Sequence, residues 1–188
     1  ALLVARRQVA RKRMLAALDS RRYEIFVERF TAALRRGPVG SLPVGRLPIL
    51  ATAPGLVTRR YRRFRRNGDR ISPASAPEAY HALRIDAKKL RYAIEFVGTL
   101  YGKTAAEFSA RVTALQDLLG LHQDAEVAVT MLHEMAITRR LPPATVLAMG
   151  AISERYRIDA IRLRADFPRL YGQLRGAAWR PLERQMAT

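Results

Sequence analysis

The chain has 188 residues, and 49% of them are hydrophobic, which suits one ordinary domain with a real core and excludes wholesale disorder. Its 34 Lys and Arg outnumber its 16 Asp and Glu, and the resulting formal charge of +18 favours a polyanionic partner. Cysteine is absent, which excludes disulfides and thiolate chemistry, and no apolar run approaches the roughly 18 residues that span a bilayer.

The spacing of apolar residues is helical almost throughout, which predicts an all-α protein. A first, arginine-rich helix covers residues 1–18, and a second covers residues 20–36 with an apolar face and Gly37 just after its end. Residues 37–55 are rich in proline and glycine and predict a connection that cannot continue a helix. A short arginine-rich helix follows this connection and ends near Gly68.

The second half of the chain carries several further helix signals. Ser75 and Glu78 predict a capping box for the helix that contains residues 81–95. A second capping box at Thr104 and Glu107 predicts the next helix, which should end at Gly120. Asp124 is expected to cap a further helix to about Thr138. Pro142 and Pro143 precede a long helix to about Asp166, and a short helical piece follows over residues 170–179. The whole pattern predicts a bundle of about six to eight helices.

The helix over residues 81–95 carries a row of cations on one narrow arc, at about 100° per residue. The members of this row are His81, Arg84, Lys88 and Arg91, and Glu95 is the one acid on the same arc. Apolar rows border the arc on both sides, with Leu83, Ala87, Leu90, Ile94 and Val97 on one side and Ile85, Tyr92 and Phe96 on the other. Lys89 and Asp86 fall on the most polar arc and are expected to point outward.

A charged row between two apolar rows predicts a basic groove or central cavity, because unpaired buried charge is costly and a bound polyanion would remove that cost. The alternative is that the long side chains extend from a helix seam to solvent, with Arg91 and Glu95 as an ordinary i,i+4 pair. The residue pattern alone leaves both interpretations open.

The stretch RRYRRFRR forms a second basic feature, with a thin apolar edge of Val57, Tyr61 and Phe64. Its like charges at i,i+3 and i,i+4 spacing oppose helix formation by roughly 1–3 kcal/mol, which an anionic ligand would offset. A nuclear-localisation or nonspecific nucleic-acid patch is the usual alternative for such a run. Because this helix directly precedes the His81 helix, the two are expected to face one ligand. The arginines assigned to that ligand are Arg59, Arg62, Arg63 and Arg66.

The segment HALRIDAKKLRYAIEF, followed by LQDLLGLHQDAEV, resembles the second half of a CHAD domain, an α-helical domain named for its histidines. That half carries H-x-x-R-x-x-x-K-x-x-R-Y-x-x-E, then L-Q-x-x-L-G with an Asp a few residues later. The resemblance implies binding of inorganic polyphosphate in a basic central cavity and association with polyphosphate granules. Carried over by position, it implies His81, Arg84, Lys88 and Arg91 as contacts, Lys89 at a commonly basic position, Tyr92 and Gln116 as supports, and Gly120 and Asp124 as turn and cap residues.

One departure from the family pattern concerns the first half, which normally has its own His/Arg helix. The histidines of this chain are His81, His122 and His133, and none lies near the start. We expect residues 1–188 to form a single CHAD-like domain, either a shortened member or a piece cut from a longer domain at its N-terminus.

The combined expectation is a non-catalytic, cytoplasmic binding protein for inorganic polyphosphate, located at polyphosphate granules, with no membrane partner and no cofactor. A nucleic-acid-binding protein that uses the same basic surface is the alternative. An enzyme is not predicted, because no carboxylate pair or nucleophile–base pair is evident. His122, Glu126 and His133 make a poor metal site, and GTLYGKT fits a helix end at Gly102 better than a phosphate loop. No pattern indicates an oligomeric state.

Overall fold

A computed structural model describes residues 2–37, 45 and 47–187, and these residues form an all-α structure without a strand. The helices of this part of the chain are α1 (Leu2–Leu18), α2 (Arg21–Arg36), α3 (Ile49–Gly68), α4 (Pro77–Phe96), α5 (Gly98–Thr138), α6 (Pro143–Gly172), a 3₁₀ turn (Gly176–Ala178) and α7 (Arg180–Ala187). The predicted all-α bundle of about six to eight helices is confirmed.

The chain divides into two compact units, Ala1–Pro48 and Ile49–Thr188. The first unit contains α1 and α2, and Ser20 caps α2 by accepting a hydrogen bond from the Tyr23 N–H at 3.3 Å. The predicted apolar face of α2 is present, but α2 buries none of its residues. Instead its aromatic rings contact one another, with the Phe26 and Phe30 ring centroids 5.7 Å apart.

The second unit holds the hydrophobic core, which α3, α4, α5, α6 and α7 build together. The predicted inner row of α4 is confirmed, because Leu83, Ala87, Leu90, Ile94 and Val97 are all buried. Tyr61 of α3 stacks on Trp179, with ring centroids 3.8 Å apart, and Phe108 of α5 meets both rings edge-on. The core therefore fixes one face of α3 and one face of α4 against α5.

Two predicted helix starts are wrong. α3 begins at Ile49, within the predicted connection 37–55, and it contains Pro54. The helix tolerates this proline because its fixed φ suits a helix and because burial of Ala53 and Val57 outweighs the lost hydrogen bond. α4 begins at Pro77 without a side-chain cap, since proline at the first helical position is already preorganised. The Ser75 hydroxyl instead accepts the Ser72 N–H at 2.9 Å, so the predicted capping box is absent.

The predicted stop at Gly120 and cap at Asp124 are also wrong, because α5 continues through both to Thr138. Burial of Leu119, His122 and Ala125 on the same face keeps this stretch helical despite the cost of about 1 kcal/mol for glycine. The backbone breaks at Gly102, with φ 49°, where the sequence predicts a helix end. Later, α6 continues to Gly172 instead of Asp166, and the last helix is Arg180–Ala187.

The C-terminal end of α3 is fastened to α6 through Tyr171. The Tyr171 hydroxyl donates to Asp69 Oδ1 at 2.8 Å, and Arg65 Nη2 donates to Asp69 Oδ2 at 3.0 Å. Burial opposes ionisation of Asp69, but the hydrogen bonds from Arg65 and Tyr171 outweigh it and hold the pKa of this carboxyl below its ordinary value. The Tyr171 ring lies so close to Gly68 that a side chain there has no room.

We predict that Gly68→Ala destabilises the fold, because the new Cβ would overlap the buried Tyr171 ring, and overpacking of this kind costs about 1–3 kcal/mol. Gly55→Ala is the matched control in the same helix, since nothing lies within 4 Å of its Cβ position. The control should be neutral or stabilise by up to about 1 kcal/mol. Urea unfolding measures both, and equal stability of the two variants would contradict the close contact.

Candidate anion-binding site

Three cations of the predicted row lie together where α4 packs on α5. Arg84 and Arg91 are half-buried beside the inner row of α4, and Lys88 is exposed between them. Arg84 lies over Gly120 of α5, with its Nε 3.6 Å from the position that a Cβ would take. A Cβ at this point of α5 would therefore be in ordinary van der Waals contact with the guanidinium group. We call Arg84, Lys88, Arg91, Gln116 and Gly120 the α4–α5 seam.

The seam contains polar atoms that are shielded from solvent but have no hydrogen-bond partner in the described residues. They are Nε of Arg84, Nε of Arg91 and Oε1 of Gln116. Arg91 Nε lies 3.6 Å from Glu95 Oε1, which makes an ion pair but is too long for a hydrogen bond. Buried polar groups are ordinarily hydrogen-bonded, so two unpartnered guanidinium Nε–H donors on one face mark a place where a small local movement would let an oxyanion supply the missing acceptor.

Clefts open at both ends of the seam. One, of about 450 Å³, lies at the Glu95 end and is lined on α5 by small residues, among them Gly102, Ala106, Ala110 and Thr113. The other, of about 510 Å³, lies at the His81 end. There the structure places His81 beside Glu78, Glu126 and Glu134 rather than with the other cations. Acids line both clefts, so the middle of the seam, at Arg84 and Arg91, is electrostatically better suited to an anion than either end.

The second apolar row of α4 departs from the prediction that both rows are buried. Ile85, Tyr92 and Phe96 are exposed, and the Phe96 side chain is 73% accessible. Asp86, predicted to point outward, is 4% exposed and accepts contacts from Arg63 Nε at 2.9 Å and Asn67 Nδ2 at 2.6 Å. The cause is that α3 packs on the side of α4 that carries Asp86. The adjacent arc of α4, with Ile85, Tyr92 and Phe96, is left uncovered. Lys89, on that arc, is exposed as predicted.

The family model described as CHAD domain matches residues 1–133 of the chain, which include α1–α4 and most of α5. The chain belongs to the CHAD domain family. The resemblance inferred from HALRIDAKKLRYAIEF and LQDLLGLHQDAEV is thus confirmed, and the match extends it to residue 1. A search of curated proteins finds no match. In the part of the chain that the structure describes, no helix of this CHAD domain protein is long and apolar enough to cross a membrane.

The arginines of α3 are not brought to the same face as the seam. Arg63 binds Asp86, and at about 100° per residue Asp86 lies about 160° from Arg84 on the α4 wheel. Arg65 binds Asp69 at 3.0 Å. The predicted contacts Arg59, Arg62 and Arg66 are exposed and form no ion pair with any described residue. α3 and the seam therefore present cations on opposite flanks of α4.

A buried cluster that sequence reasoning missed lies around Arg164 of α6. Its Nε donates to His122 Nε2 at 2.9 Å, its Nη2 to Glu126 Oε1 at 2.8 Å and its Nη1 to the Ser75 carbonyl at 3.2 Å. The guanidinium also lies over the Tyr80 ring, 5.1 Å from its centroid. These contacts join α6 to α5 and to the segment that precedes α4, so they hold the N-terminal end of α4 in place.

His122 is buried, with 1% of its surface exposed. Burial, and then the charge of Arg164, lower its pKa, while Glu126 acts in the opposite direction. Because Nε2 accepts a hydrogen bond, the ring must be neutral with its proton on Nδ1. The i,i+4 spacing of His122 and Glu126 was the available signal, and the false stop at Gly120 concealed it.

We predict that stability falls as the pH drops below about 6.5, the ordinary histidine value, because the unfolded chain then binds a proton that folded His122 resists. The stability that neutral His122 contributes is fully present above that pH. It decreases at lower pH, as the pH approaches the lowered pKa of His122 in the folded protein. His122→Leu should lower stability at pH 8 but flatten the dependence between about pH 7 and pH 5. Chemical unfolding at a series of pH values tests this, and parallel curves for both proteins would contradict it.

Proposed function

We propose that this protein binds inorganic polyphosphate without catalysing a reaction, and that the α4–α5 seam is the primary contact. The observation that supports this most is the pair of buried, unpartnered Nε–H donors on Arg84 and Arg91. Some members of the CHAD domain family bind polyphosphate. The excess of positive charge in the chain, +18, supports a polyanion rather than a small neutral ligand.

The chemistry of the seam suits a chain of phosphate groups. A guanidinium group offers a planar fork that binds two oxygens at once, and such charge-assisted hydrogen bonds are about twice as strong as neutral ones. Arg84 and Arg91 would each take one phosphate group, and Lys88 would add a point charge between them. Glu95 competes for Arg91, but its exposed side chain and 3.6 Å separation make that ion pair weak. Recruitment to cytoplasmic polyphosphate granules would follow from this binding.

We predict that Arg84→Gln combined with Arg91→Gln weakens polyphosphate binding at least about tenfold, because each charge-assisted hydrogen bond contributes about 1.5–3 kcal/mol. The matched control is Arg140→Gln combined with Arg155→Gln, which removes the same charge from two exposed arginines without ion pairs in the described residues. The control should change Kd less than about threefold. Titration calorimetry at moderate salt measures both, and equal losses would mean that net charge alone drives binding.

The alternative, binding of single-stranded nucleic acid, is favoured by one observation. Tyr92 and Phe96 are 49% and 73% exposed beside the cations of α4, and nucleobases stack on exposed aromatic rings in this setting. The seam nevertheless offers few groups that could read base edges. The buried donors would donate to phosphate oxygens of either ligand, so the preference for polyphosphate rests on the family and on the scarcity of groups that could read bases.

We predict that polyphosphate displaces a fluorescent single-stranded oligonucleotide when the two are compared at equal phosphate concentration. Phe96→Ala should leave polyphosphate affinity unchanged, because phosphate chains have no flat surface to stack. If nucleic acid is the physiological ligand, the same substitution should cost about 1–3 kcal/mol of oligonucleotide affinity, as loss of one stacked base does. Failure of polyphosphate to compete, together with that loss, would favour the alternative.

A further inference from the structure

The outward face of α3 carries cations that the fold does not use. α3 contains six arginines and no acid. Two of them are paired, Arg63 with buried Asp86 and Arg65 with Asp69, and half-buried Arg60 forms no ion pair with any described residue. Arg59, Arg62 and Arg66 are exposed and have no ion pair with any residue that the structure describes. The available acids thus serve the contacts between helices, and the outward arginines remain unneutralised.

These three arginines form a continuous row. They lie at about 140–200° from Val57 on the α3 wheel, opposite the side that enters the core. Seven residues separate Arg59 from Arg66, so the row is about 10 Å long at 1.5 Å per residue. Their i,i+3 and i,i+4 spacing makes neighbouring guanidinium groups repel one another, and an anion laid along the row would reverse that repulsion.

The row is connected to the α4–α5 seam by two lysines. Lys88 belongs to the seam, and Lys89 lies about 100° further round α4, on the side where Asp86 receives Arg63. Both lysines are exposed. Between Glu78 and Glu95 the only acid of α4 is Asp86, which is buried, so no exposed carboxylate interrupts this path. A flexible polyanion can therefore cross α4 from the seam to α3 without meeting a like charge.

We propose that Arg59, Arg62 and Arg66 form a second polyphosphate track, which only chains long enough to leave the seam and cross α4 over Lys88 and Lys89 can occupy. This inference rests on the proposed function, because the seam must hold the chain first. The protein would then distinguish long-chain polyphosphate from short oligophosphates by the number of its contacts. Short oligophosphates would bind to the seam alone.

The test compares tripolyphosphate with long-chain polyphosphate on the full chain. The variant is Arg59→Gln with Arg62→Gln and Arg66→Gln, and the control, of equal charge, is Arg139→Gln with Arg140→Gln and Arg155→Gln. The α3 variant should leave the Kd for tripolyphosphate within about twofold and weaken long-chain binding. The slope of log affinity against log salt should fall by about 2 for long chains, since each single-stranded phosphate contact contributes about 0.7. The control should change neither slope.

Several outcomes would overturn the second track. The first is that the α3 variant leaves the salt dependence of long-chain affinity unchanged. The second is that it alters this salt dependence no more than the control does. The third is that it weakens tripolyphosphate binding as much as long-chain binding, which would indicate one undivided site. Loss of oligonucleotide affinity alone would assign the α3 row to nucleic acid instead. Lys89→Gln provides an independent check, because it should weaken long-chain binding but not tripolyphosphate binding. If the parent protein binds neither polyphosphate, the proposed function itself fails, and this result is distinct from failure of the second track.

Discussion

The packing of α4 along α5, which stays helical through Gly120 after its break at Gly102, is the constraint on which the site depends. Consecutive antiparallel helices that bury Leu83, Leu90 and Ile94 leave no freedom in the rotation of α4. That rotation places Arg84 and Arg91 at the edge of the buried face, where their Nε atoms lose solvent. If α5 ended at Gly120, the surface beneath Arg84 would be missing and the arginine would be fully hydrated. The electrostatic character of the seam is thus a consequence of helix continuity.

The few acids of the second unit explain how a chain with so much positive charge folds. Asp86 binds Arg63 and Glu126 binds Arg164. Asp69 binds Arg65 and, at 3.5 Å, Arg175. These pairs join α3 to α4, lock the end of α3 beside Tyr171 and join α5 to α6. Each acid therefore neutralises a cation that packing would otherwise desolvate at high cost. Positive charge that these acids do not neutralise remains on the exposed arginines of α3 and at half-buried Arg84, where it can attract a ligand.

The sequence predicted the features that depend on local periodicity and missed those that depend on distant neighbours. The inner row of α4 was predictable because burial of Leu83 and Leu90 follows from their spacing. The exposure of Phe96 and the burial of Asp86 were not, because a helical wheel gives angles and does not show which side α3 covers. The contact between Arg164 and His122 joins residues that are 42 positions apart, so no short pattern reveals it. Gly120 was misread because glycine signals a stop only where packing does not keep the helix intact.

The two groups of cations differ in how water and salt affect them. A guanidinium in the seam acts through a lower effective dielectric constant, so its attraction for phosphate is stronger and less screened than that of an exposed arginine. Arg59, Arg62 and Arg66 are exposed and would hold a free oligophosphate only weakly. In the proposed arrangement, a chain anchored in the seam presents its remaining phosphates to α3 at a high effective concentration, so weak contacts add to the affinity without a strong site of their own. Discrimination by chain length then needs no pocket that measures length, because it follows from the distance between two unequal groups of arginines.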